Sequence, residues 1–201
     1  MPSREAPPLS LRERKKRQTR GAIRDAALKL FLEQGYTETT IQEIARAADV
    51  SVGTLFNYFP NKESLLADDF DPVFIEHLRA RPPDEPLFTA FRRAFEAGLA
   101  AVPPDEAEKM LARAQLVRTV PALRAAATLD HEQSAALLTE LLAERYARSP
   151  DDLELKVASA MIVSAMIVAF DAWIQSDGQE DVLALVGRAL AVAEAGVAPP
   201  P

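Results

Sequence analysis

Apolar residues recur at the three- and four-residue spacing of helices along nearly the whole chain, and no segment alternates as a strand would. Proline, glycine and aspartate separate the periodic stretches. The pattern predicts an all-α fold of about nine helices. Their expected ranges are 10–34, a short helix that begins after Thr39 or Thr40, 51–59, 62–79, 86–101, 104–119, 121–148, 151–176 and 180–196.

The segment 39–59, TTIQEIARAADVSVGTLFNYF, predicts two short helices joined by a tight turn. Two such helices can cross steeply only where their inner faces are small and apolar. Ala45 supplies the small residue, and the apolar positions around it supply a small core: Ile41, Ile44, Val50 and Leu55. The pattern is typical of a helix-turn-helix, although an ordinary helical hairpin with a solvated face fits it as well.

The second of these helices would present short side chains that let it lie deep in the major groove of DNA. Thr54 can contact a thymine methyl group or donate a hydrogen bond, and Asn57 can pair with adenine or a phosphate. Tyr58 and Lys62 follow at positions suited to backbone phosphates.

Charge is distributed unevenly along a chain whose net charge is −7. Residues 1–62 carry eleven Lys/Arg and seven Asp/Glu, a local charge of +4, whereas residues 63–201 carry twelve and twenty-three, or −11. This asymmetry favours an N-terminal end that meets a polyanion. A basic tail that only solubilises the protein is the alternative.

The composition offers little for catalysis or metal binding. The chain has no cysteine, two histidines and no glycine-rich phosphate loop. Carboxylates near His77 do not share one helical stripe, which favours a solvated face over a metal site: Asp68, Asp69, Asp71 and Glu76. We therefore expect a protein that is not an enzyme and that needs no cofactor or metal.

Neither end of the chain predicts export or membrane insertion. The basic N-terminus is not followed by an apolar stretch, so it does not resemble a secretory signal. The longest apolar run, Val157–Phe170, is shorter than the roughly 20 residues that span a bilayer. These features predict a cytoplasmic protein without a membrane partner.

Residues 23–66 closely resemble the DNA-binding region of the TetR (tetracycline repressor) family. The ordered signature comprises Ala27–Phe31, Gly35-Tyr36, Thr39-Thr40, Ile44-Ala45, Val50-Ser51, Gly53-Thr54-Leu55, Tyr58-Phe59 and Lys62-Glu63. The chain departs from the family at Asp49, where glycine is common, and at Asn57, where an aromatic is common. Asp tolerates a left-handed backbone, so we expect the turn to survive. The second departure affects the operator sequence rather than DNA binding.

The resemblance implies which positions contact DNA. Those within the matched segment are Thr40, Ser51, Val52, Gly53, Thr54, Asn57, Tyr58 and Lys62. Three more lie before it, in a basic N-terminal arm: Arg17, Thr19 and Arg20.

The resemblance also sets the expected domains. We expect a helix-turn-helix DNA-binding domain at 10–62 and an effector-binding and dimerisation domain at 63–197. The prolines at the two ends predict a disordered leader at residues 1–9 and a tail at 198–201.

The predicted helix 151–176 is apolar around nearly its whole circumference, so every side must be covered. Together with helix 180–196 it predicts a four-helix seam with a second chain, which would place two DNA-reading ends on two half-sites. A monomer with one deeply buried helix is the alternative. The expected interface residues are Ala158, Ala165, Ala169, Ala172, Leu183, Val186 and Leu190.

Bulky, adaptable apolar residues in the C-terminal domain predict a pocket for an apolar ligand, with arginine to orient it. The alternative is that most of these residues simply belong to the apolar core. The candidates are Phe91, Phe95, Met110, Arg113, Val117, Leu137, Met161, Met166, Phe170 and Trp173. The domain also resembles the mycofactocin-system regulator branch of the family at Leu116-Val117, Val120–Arg124, Ala165 and Ala172-Trp173. That resemblance implies an acyl-chain or acyl-CoA-like effector with its anionic head on arginines.

The sequence thus predicts a homodimeric transcriptional regulator, a repressor by family analogy, that a small apolar or amphiphilic effector releases from an inverted-repeat operator. A helical protein–protein adaptor that reads no DNA sequence is the alternative.

Overall fold

The computed structural model describes residues 11–66, 72–100, 102 and 104–196. Within these residues the chain forms nine α-helices and one 3-10 helix, with no strand, which confirms the predicted all-α fold. The α-helices are α1 Leu11–Gln34, α2 Ile41–Ala47, α3 Val52–Tyr58, α4 Pro72–Ala80, α5 Leu87–Ala100, α6 Pro104–Thr119, α7 Pro121–Tyr146, α8 Leu153–Gln175 and α9 Val182–Ala195. The predicted leader and tail lie outside the described residues.

The predicted fourth helix is wrong in its first part. A 3-10 helix occupies Glu63–Leu66, and α4 begins at Pro72. Proline suits a helix start because it lacks the N–H that would remain unpaired there. The expected continuous helix from Lys62 overlooked this boundary.

The chain divides into two compact units. The head contains residues 1–67 and 112–127, and the body contains residues 68–111 and 128–201. The end of α6 and the start of α7 therefore belong to the head. The domain limits predicted from sequence remain a prediction.

The head has its own apolar core, formed where α1, α2 and α3 meet the 3-10 helix and the start of α7. Its buried side chains are Ile23, Ala27, Leu28, Phe31, Ile44, Ala45, Leu55, Phe59, Leu65, Leu66 and Leu123. Ala45 is buried on α2, and α2 contacts α3 directly. The small core predicted for the two short helices is therefore present.

The body packs α8 along α9 and α4 along α5, and α5 also contacts α9. Its core includes Phe74, Phe91, Leu138, Leu142, Ile162, Trp173 and Val186. The apolar helix α8 has 23 residues and a mean hydropathy of 2.0 in its most apolar window, so length and composition alone would permit it to cross a membrane. In the single chain, 39% of that window is buried inside the body, and one such helix is weak evidence for a membrane span.

Candidate nucleic-acid interface and effector cluster

The start of α2 is fixed by a reciprocal capping box, since Thr40 and Glu43 each satisfy a backbone donor of the other. The Glu43 N–H donates to Thr40 Oγ1 at 3.2 Å, and the Thr40 N–H donates to Glu43 Oε2 at 2.8 Å. Hydrogen bonds from the Thr40 hydroxyl and N–H lower the pKa of Glu43. Thr40, predicted as a DNA contact, is therefore also the cap of α2.

The turn between α2 and α3 passes through a left-handed residue, Asp49, at φ +53°. The following Val50 N–H closes the turn on the Ala45 carbonyl oxygen at 2.9 Å. The structure thus confirms that aspartate adopts the left-handed backbone at the position where the family commonly has glycine.

The start of α3 is capped by Ser51, whose hydroxyl oxygen accepts from the Thr54 N–H at 3.0 Å. The Ser51 and Thr54 hydroxyl oxygens also lie 2.8 Å apart in a hydrogen bond. Two predicted DNA-reading hydroxyls therefore orient each other.

The outward face of α3 carries Gly53 and Asn57, both exposed, as the prediction required. Between them lies Phe56, which is 47% exposed and which the sequence analysis missed. Its position three residues after Gly53 places it on the same helical face, a signal that was available from the spacing. The remaining predicted contacts on this helix, Val52, Thr54 and Tyr58, are half-buried.

Lys62 is half-buried and turned toward the end of α1. Its ammonium donates to the Tyr36 carbonyl oxygen and lies 4.3 Å from the Tyr36 ring centroid and 5.6 Å from that of Phe31. Burial lowers the pKa of Lys62. The predicted phosphate contact is thus also part of the packing of the head.

The N-terminal arm is helical, because α1 begins at Leu11. The half-buried Arg20 guanidinium lies 5.0 Å from the centroid of the Phe59 ring, and Thr19 lines a groove together with Tyr58. The side chain of Arg17 lies outside the part of the protein that the structure describes.

Several predicted effector residues form an aromatic cluster in the body. Phe170 packs edge-on against both Phe95 and Trp173, with ring centroids 6.1 Å apart in each pair. Phe91 is fully buried against Phe74, with centroids 4.9 Å apart. Three half-buried residues pack against the same core: Met110, Leu137 and Met166.

Three predicted effector residues do not join this cluster. Met161 is 37% exposed on the outer face of α8. Arg113 and Val117 belong to the head, where Arg113 is buried and Val117 packs against the head core. The second half of α6 belongs to the head, and the effector-binding role of these three residues stays a prediction.

None of the ten residues predicted to bind the effector lines either of two surface cavities. One, of about 340 Å³, lies in the body around Leu78, Leu141 and Arg145. The other, of about 690 Å³, lies in the head. The predicted effector residues in the body fill a packed core instead of lining either cavity.

The residues predicted for the dimer face differ in their exposure, and the interface itself stays a prediction. Ala169, Val186 and Leu190 are at most 2% exposed in the single chain, so a partner could cover almost nothing more of them. Ala158, Ala165, Ala172 and Leu183 are half-buried. Other large apolar residues are exposed on α8 and α9 instead: Leu153, Val157, Met161, Val168 and Val192.

Of the carboxylates considered for a metal site, Asp68, Asp69 and Asp71 lie outside the described residues. Among the side chains that are described, no three His, Asp or Glu residues form a group that could hold a metal ion.

Comparisons with known proteins match both units of the chain. The model described as "Bacterial regulatory proteins, tetR family" matches residues 23–68, and the "MftR C-terminal domain" model matches residues 85–198. TcmR of Streptomyces glaucescens, an HTH-type transcriptional regulator, is 35% identical over 71% of this chain and 66% of its own length. The chain thus spans slightly less than two thirds of that relative. MftR of Mycobacterium tuberculosis, named for regulation of mycofactocin biosynthesis, is 25% identical over 87% of this chain and 89% of its own.

Among solved structures, FadR of Thermus thermophilus superimposes with a TM-score of 0.53 and 27% identity. The superposition covers 90% of this chain and 98% of FadR, which is described as a TetR-family transcriptional repressor in complex with lauroyl-CoA.

Proposed function

The chain belongs to the TetR family of bacterial regulatory proteins, and from that premise we propose that it is a cytoplasmic, ligand-responsive repressor that binds an inverted-repeat operator as a homodimer. One observation carries the DNA-binding part of this proposal. The helix α3 begins at a hydrogen-bonded Ser51 cap, follows a left-handed Asp49, and presents Gly53, Phe56 and Asn57 outward. A short helix that is fixed at its start and has Gly53 on its exposed face, where DNA can approach closely, suits the major groove.

Within this interface the residues would divide into two roles. Asn57 and Phe56 would contact base edges, where an amide can pair with adenine and an apolar ring can contact a thymine methyl group. Thr40 and Lys62 would contact phosphates and set the position of α3, without reading sequence.

The homodimer would form through the outward stripe of α8. Val157, Met161 and Val168 recur at helical spacing on that stripe and are exposed by 48%, 37% and 65%. Val192, 61% exposed on the neighbouring helix α9, extends the apolar surface. A second copy would bury this surface by two-fold pairing of the same two helices.

The effector would be a small apolar or amphiphilic molecule that enters the aromatic cluster of the body. Support comes from the Phe95–Phe170–Trp173 packing, from the match to the MftR C-terminal domain, and from the lauroyl-CoA held by the similar FadR. Insertion of an acyl chain there would require the cluster to open. Such a ligand would favour a second dimer geometry, in which the two copies of α3 no longer fit successive grooves.

The direct test is selection of bound sequences from a randomised DNA duplex library, followed by fluorescence anisotropy on the selected duplexes. We expect a two-fold-symmetric site and an affinity that falls steeply with salt. Asn57→Ala should change the preferred sequence, whereas Thr40→Ala should weaken binding to all duplexes alike. If the wild-type chain selects no sequence, the repressor proposal fails and a protein–protein adaptor becomes the better hypothesis.

The effector is tested on the selected operator with acyl-CoA thioesters of graded chain length. Release of the operator that strengthens with chain length would support the proposal. If none of these compounds alters DNA binding, the acyl-CoA-like class is excluded while the DNA-binding function stands.

A further inference from the structure

A cavity lined by three arginines lies in the body, between the end of α4 and the end of α7. Its volume is about 340 Å³, at the small end of the range of about 300–1,000 Å³ that is usual for small-molecule sites. The Phe95–Phe170–Trp173 cluster, where the effector is proposed to enter, contributes nothing to its walls. The lining residues that matter for its chemistry are Leu78, Arg79, Arg81, Leu141, Glu144 and Arg145.

Positive charge is concentrated at this cavity although the rest of the body is acidic. Residues 63–201 carry twelve Lys/Arg and twenty-three Asp/Glu. Three of those cations line the cavity beside one carboxylate, Glu144, so the lining has a net charge of +2, three minus one. Because like charges around one cavity repel each other, an anion that binds among them lowers the electrostatic energy.

The guanidinium of Arg145 has no carboxylate partner among the described side chains. Its Nη1 donates to the Arg81 carbonyl oxygen at 3.1 Å, and its Nη2 donates to the carbonyl oxygens of Pro82 and Glu85. Its Nε is buried without a hydrogen-bond partner in the described part of the chain. The carbonyl groups fix the position of Arg145 but carry no net charge, so its positive charge stays uncompensated.

The other two arginines retain donors that their ion pairs do not use. Arg79 donates from Nε and Nη2 to Glu144 Oε2, at 3.3 and 3.1 Å. Arg81 donates from the same two nitrogens to Glu85, at 2.6 and 2.8 Å. Within the described residues the Nη1 of Arg79 and that of Arg81 have no hydrogen-bond partner, so both can donate to a ligand.

Two leucines make part of the cavity wall apolar. Leu78 on α4 is 3% exposed and Leu141 on α7 is 6% exposed, and both line the cavity. An apolar group placed against them leaves water, which favours binding in proportion to its area. Guanidinium groups are planar forks that match the two oxygens of a carboxylate. Inorganic phosphate would use the arginines alone, so the leucines favour an organic anion.

We propose that this cavity binds a small organic carboxylate. The carboxylate accepts hydrogen bonds from Arg79 and Arg81 beside the charge of Arg145, and the apolar group of the ligand lies against the two leucines. The bound molecule thereby connects the end of α4 to the end of α7. This site adds a second ligand to the protein, and it depends neither on DNA binding nor on an effector in the aromatic cluster.

The first experiment measures binding of a panel of small molecules to the full chain by isothermal titration calorimetry. The carboxylates are acetate, 3-methylbutanoate, benzoate and 3-phenylpropanoate, and the comparison compounds are benzamide and inorganic phosphate. We expect an acid with an apolar group to bind more tightly than acetate. Benzamide lacks the charge and phosphate lacks the apolar group, so each should bind about tenfold more weakly than the best acid.

Three results of this titration would overturn the proposal. In the first, none of the four carboxylates binds with a Kd below about 10 mM. In the second, benzamide binds as tightly as benzoate, which would show that the arginines do not recognise the charge. In the third, phosphate binds as tightly as the best acid, which would make the cavity a site for inorganic anions.

Two variants should change the affinity in opposite directions. Arg79→Gln removes a donor and should weaken binding of the best acid about tenfold. Glu144→Gln removes the carboxylate that occupies Arg79 and should strengthen binding several-fold. Both side chains are exposed, by 58% and 63%, so both variants should fold, which circular dichroism checks.

The matched controls break a comparable ion pair elsewhere in the body. Arg92 Nη1 lies 2.8 Å from Glu96 Oε1 on α5, and neither residue lines the cavity. Arg92→Gln and Glu96→Gln should leave the affinity unchanged. An unchanged affinity in Arg79→Gln, or a weaker one in Glu144→Gln, would show that the acid binds somewhere else.

A crystal structure with 4-bromobenzoate locates the ligand directly, because anomalous scattering identifies the bromine. The bromine should lie beside Leu78 and Leu141, with the carboxylate toward Arg79. Bromine density only in the aromatic cluster, or none in the body, would refute the site. None of these measurements includes DNA, so their failure leaves the proposed repressor function intact, and failure to select an operator leaves this site intact.

Discussion

The ammonium of Lys62 donates a hydrogen bond to the backbone carbonyl oxygen of Tyr36, which closes a contact between residues 26 apart in sequence. The Tyr36 hydroxyl in turn donates to Glu63 Oε1 at 2.7 Å. Burial, together with this bond to a carboxylate, raises the pKa of Tyr36. Two successive residues at the start of the 3-10 helix, Lys62 and Glu63, therefore both form hydrogen bonds with Tyr36 in the turn that follows α1.

Replacement of this lysine should therefore affect folding as well as DNA binding. Lys62→Met keeps most of the aliphatic stem but removes the hydrogen bond and the cation over two rings. We expect the free energy of unfolding to fall by about 1–2 kcal/mol. Urea denaturation followed by circular dichroism measures this change, with Lys29→Met as a control at an exposed position. An unchanged unfolding midpoint would show that the Tyr36 contact contributes no net stability.

The left-handed turn residue offers a stabilising substitution. Asp49 has φ +53°, a backbone conformation that glycine adopts without steric cost. Relief of the left-handed strain in Asp49→Gly should raise the free energy of unfolding by up to about 1 kcal/mol. The greater conformational entropy of glycine in the unfolded chain offsets part of this gain. Thermal unfolding of the variant measures the effect. A lower melting temperature would mean that the Asp49 carboxylate stabilises the head by more than the strain costs.

Acid should destabilise the body through Glu85. A hydrogen bond from the Arg81 guanidinium, with the charge of Arg93 beside it, lowers the pKa of Glu85 below its ordinary 4.5. A lowered pKa in the folded state contributes stability above the ordinary value, and that stability is lost as pH falls through the folded pKa. The wild-type free energy of unfolding should therefore decline below roughly pH 5.

Glu85→Gln removes this contribution and should flatten the acid limb of the stability curve. Glu132→Gln removes a carboxylate from an exposed position on α7 and is the matched control. If the decline below pH 5 is as steep in Glu85→Gln as in the wild type, other carboxylates are responsible for it.

The proposed dimer face predicts a change of oligomeric state. Val168, 65% exposed on α8, would be buried in a symmetric interface, where an unpaired aspartate is strongly unfavourable. Val168→Asp should shift the mass measured by light scattering at micromolar concentration from dimer to monomer. Leu129→Asp, an equally apolar exposed position on α7, should leave the mass unchanged. A wild-type protein that is itself monomeric would refute the homodimer.

The sequence was most informative where polar residues mark the helix ends. Thr40 and Ser51 predict the starts of α2 and α3, and both helices begin directly after these N-cap residues. The sequence was least informative on α8. This helix has hardly any polar face, so the pattern does not predict which side faces the core and which faces solvent. Ala169 faces the core while its neighbour Val168 faces solvent, a choice made by packing against α9 and other helices rather than by residue type.

The groove on the head that Thr19 and Tyr58 line illustrates a different limit. Arg12, Lys15 and Lys16 are visible in the sequence as part of a basic segment, but the segment could equally have been a solvated tail. Only the continuation of α1 back to Leu11 places these cations beside Tyr58. Local charge predicts a basic surface, whereas the position of that surface depends on the extent of the helix.

The shared hydrogen bond between Ser51 and Thr54 also constrains how the operator preference can change over evolutionary time. Replacement of Ser51 to reach a new base also removes the cap of α3, at a cost of about 1 kcal/mol of stability. Phe56 and Asn57 are exposed and cap no helix in the described hydrogen bonds, so their side chains can change with little loss of stability. New specificities should therefore arise first at these two positions, with changes at Ser51 following only after stabilising substitutions elsewhere in the head.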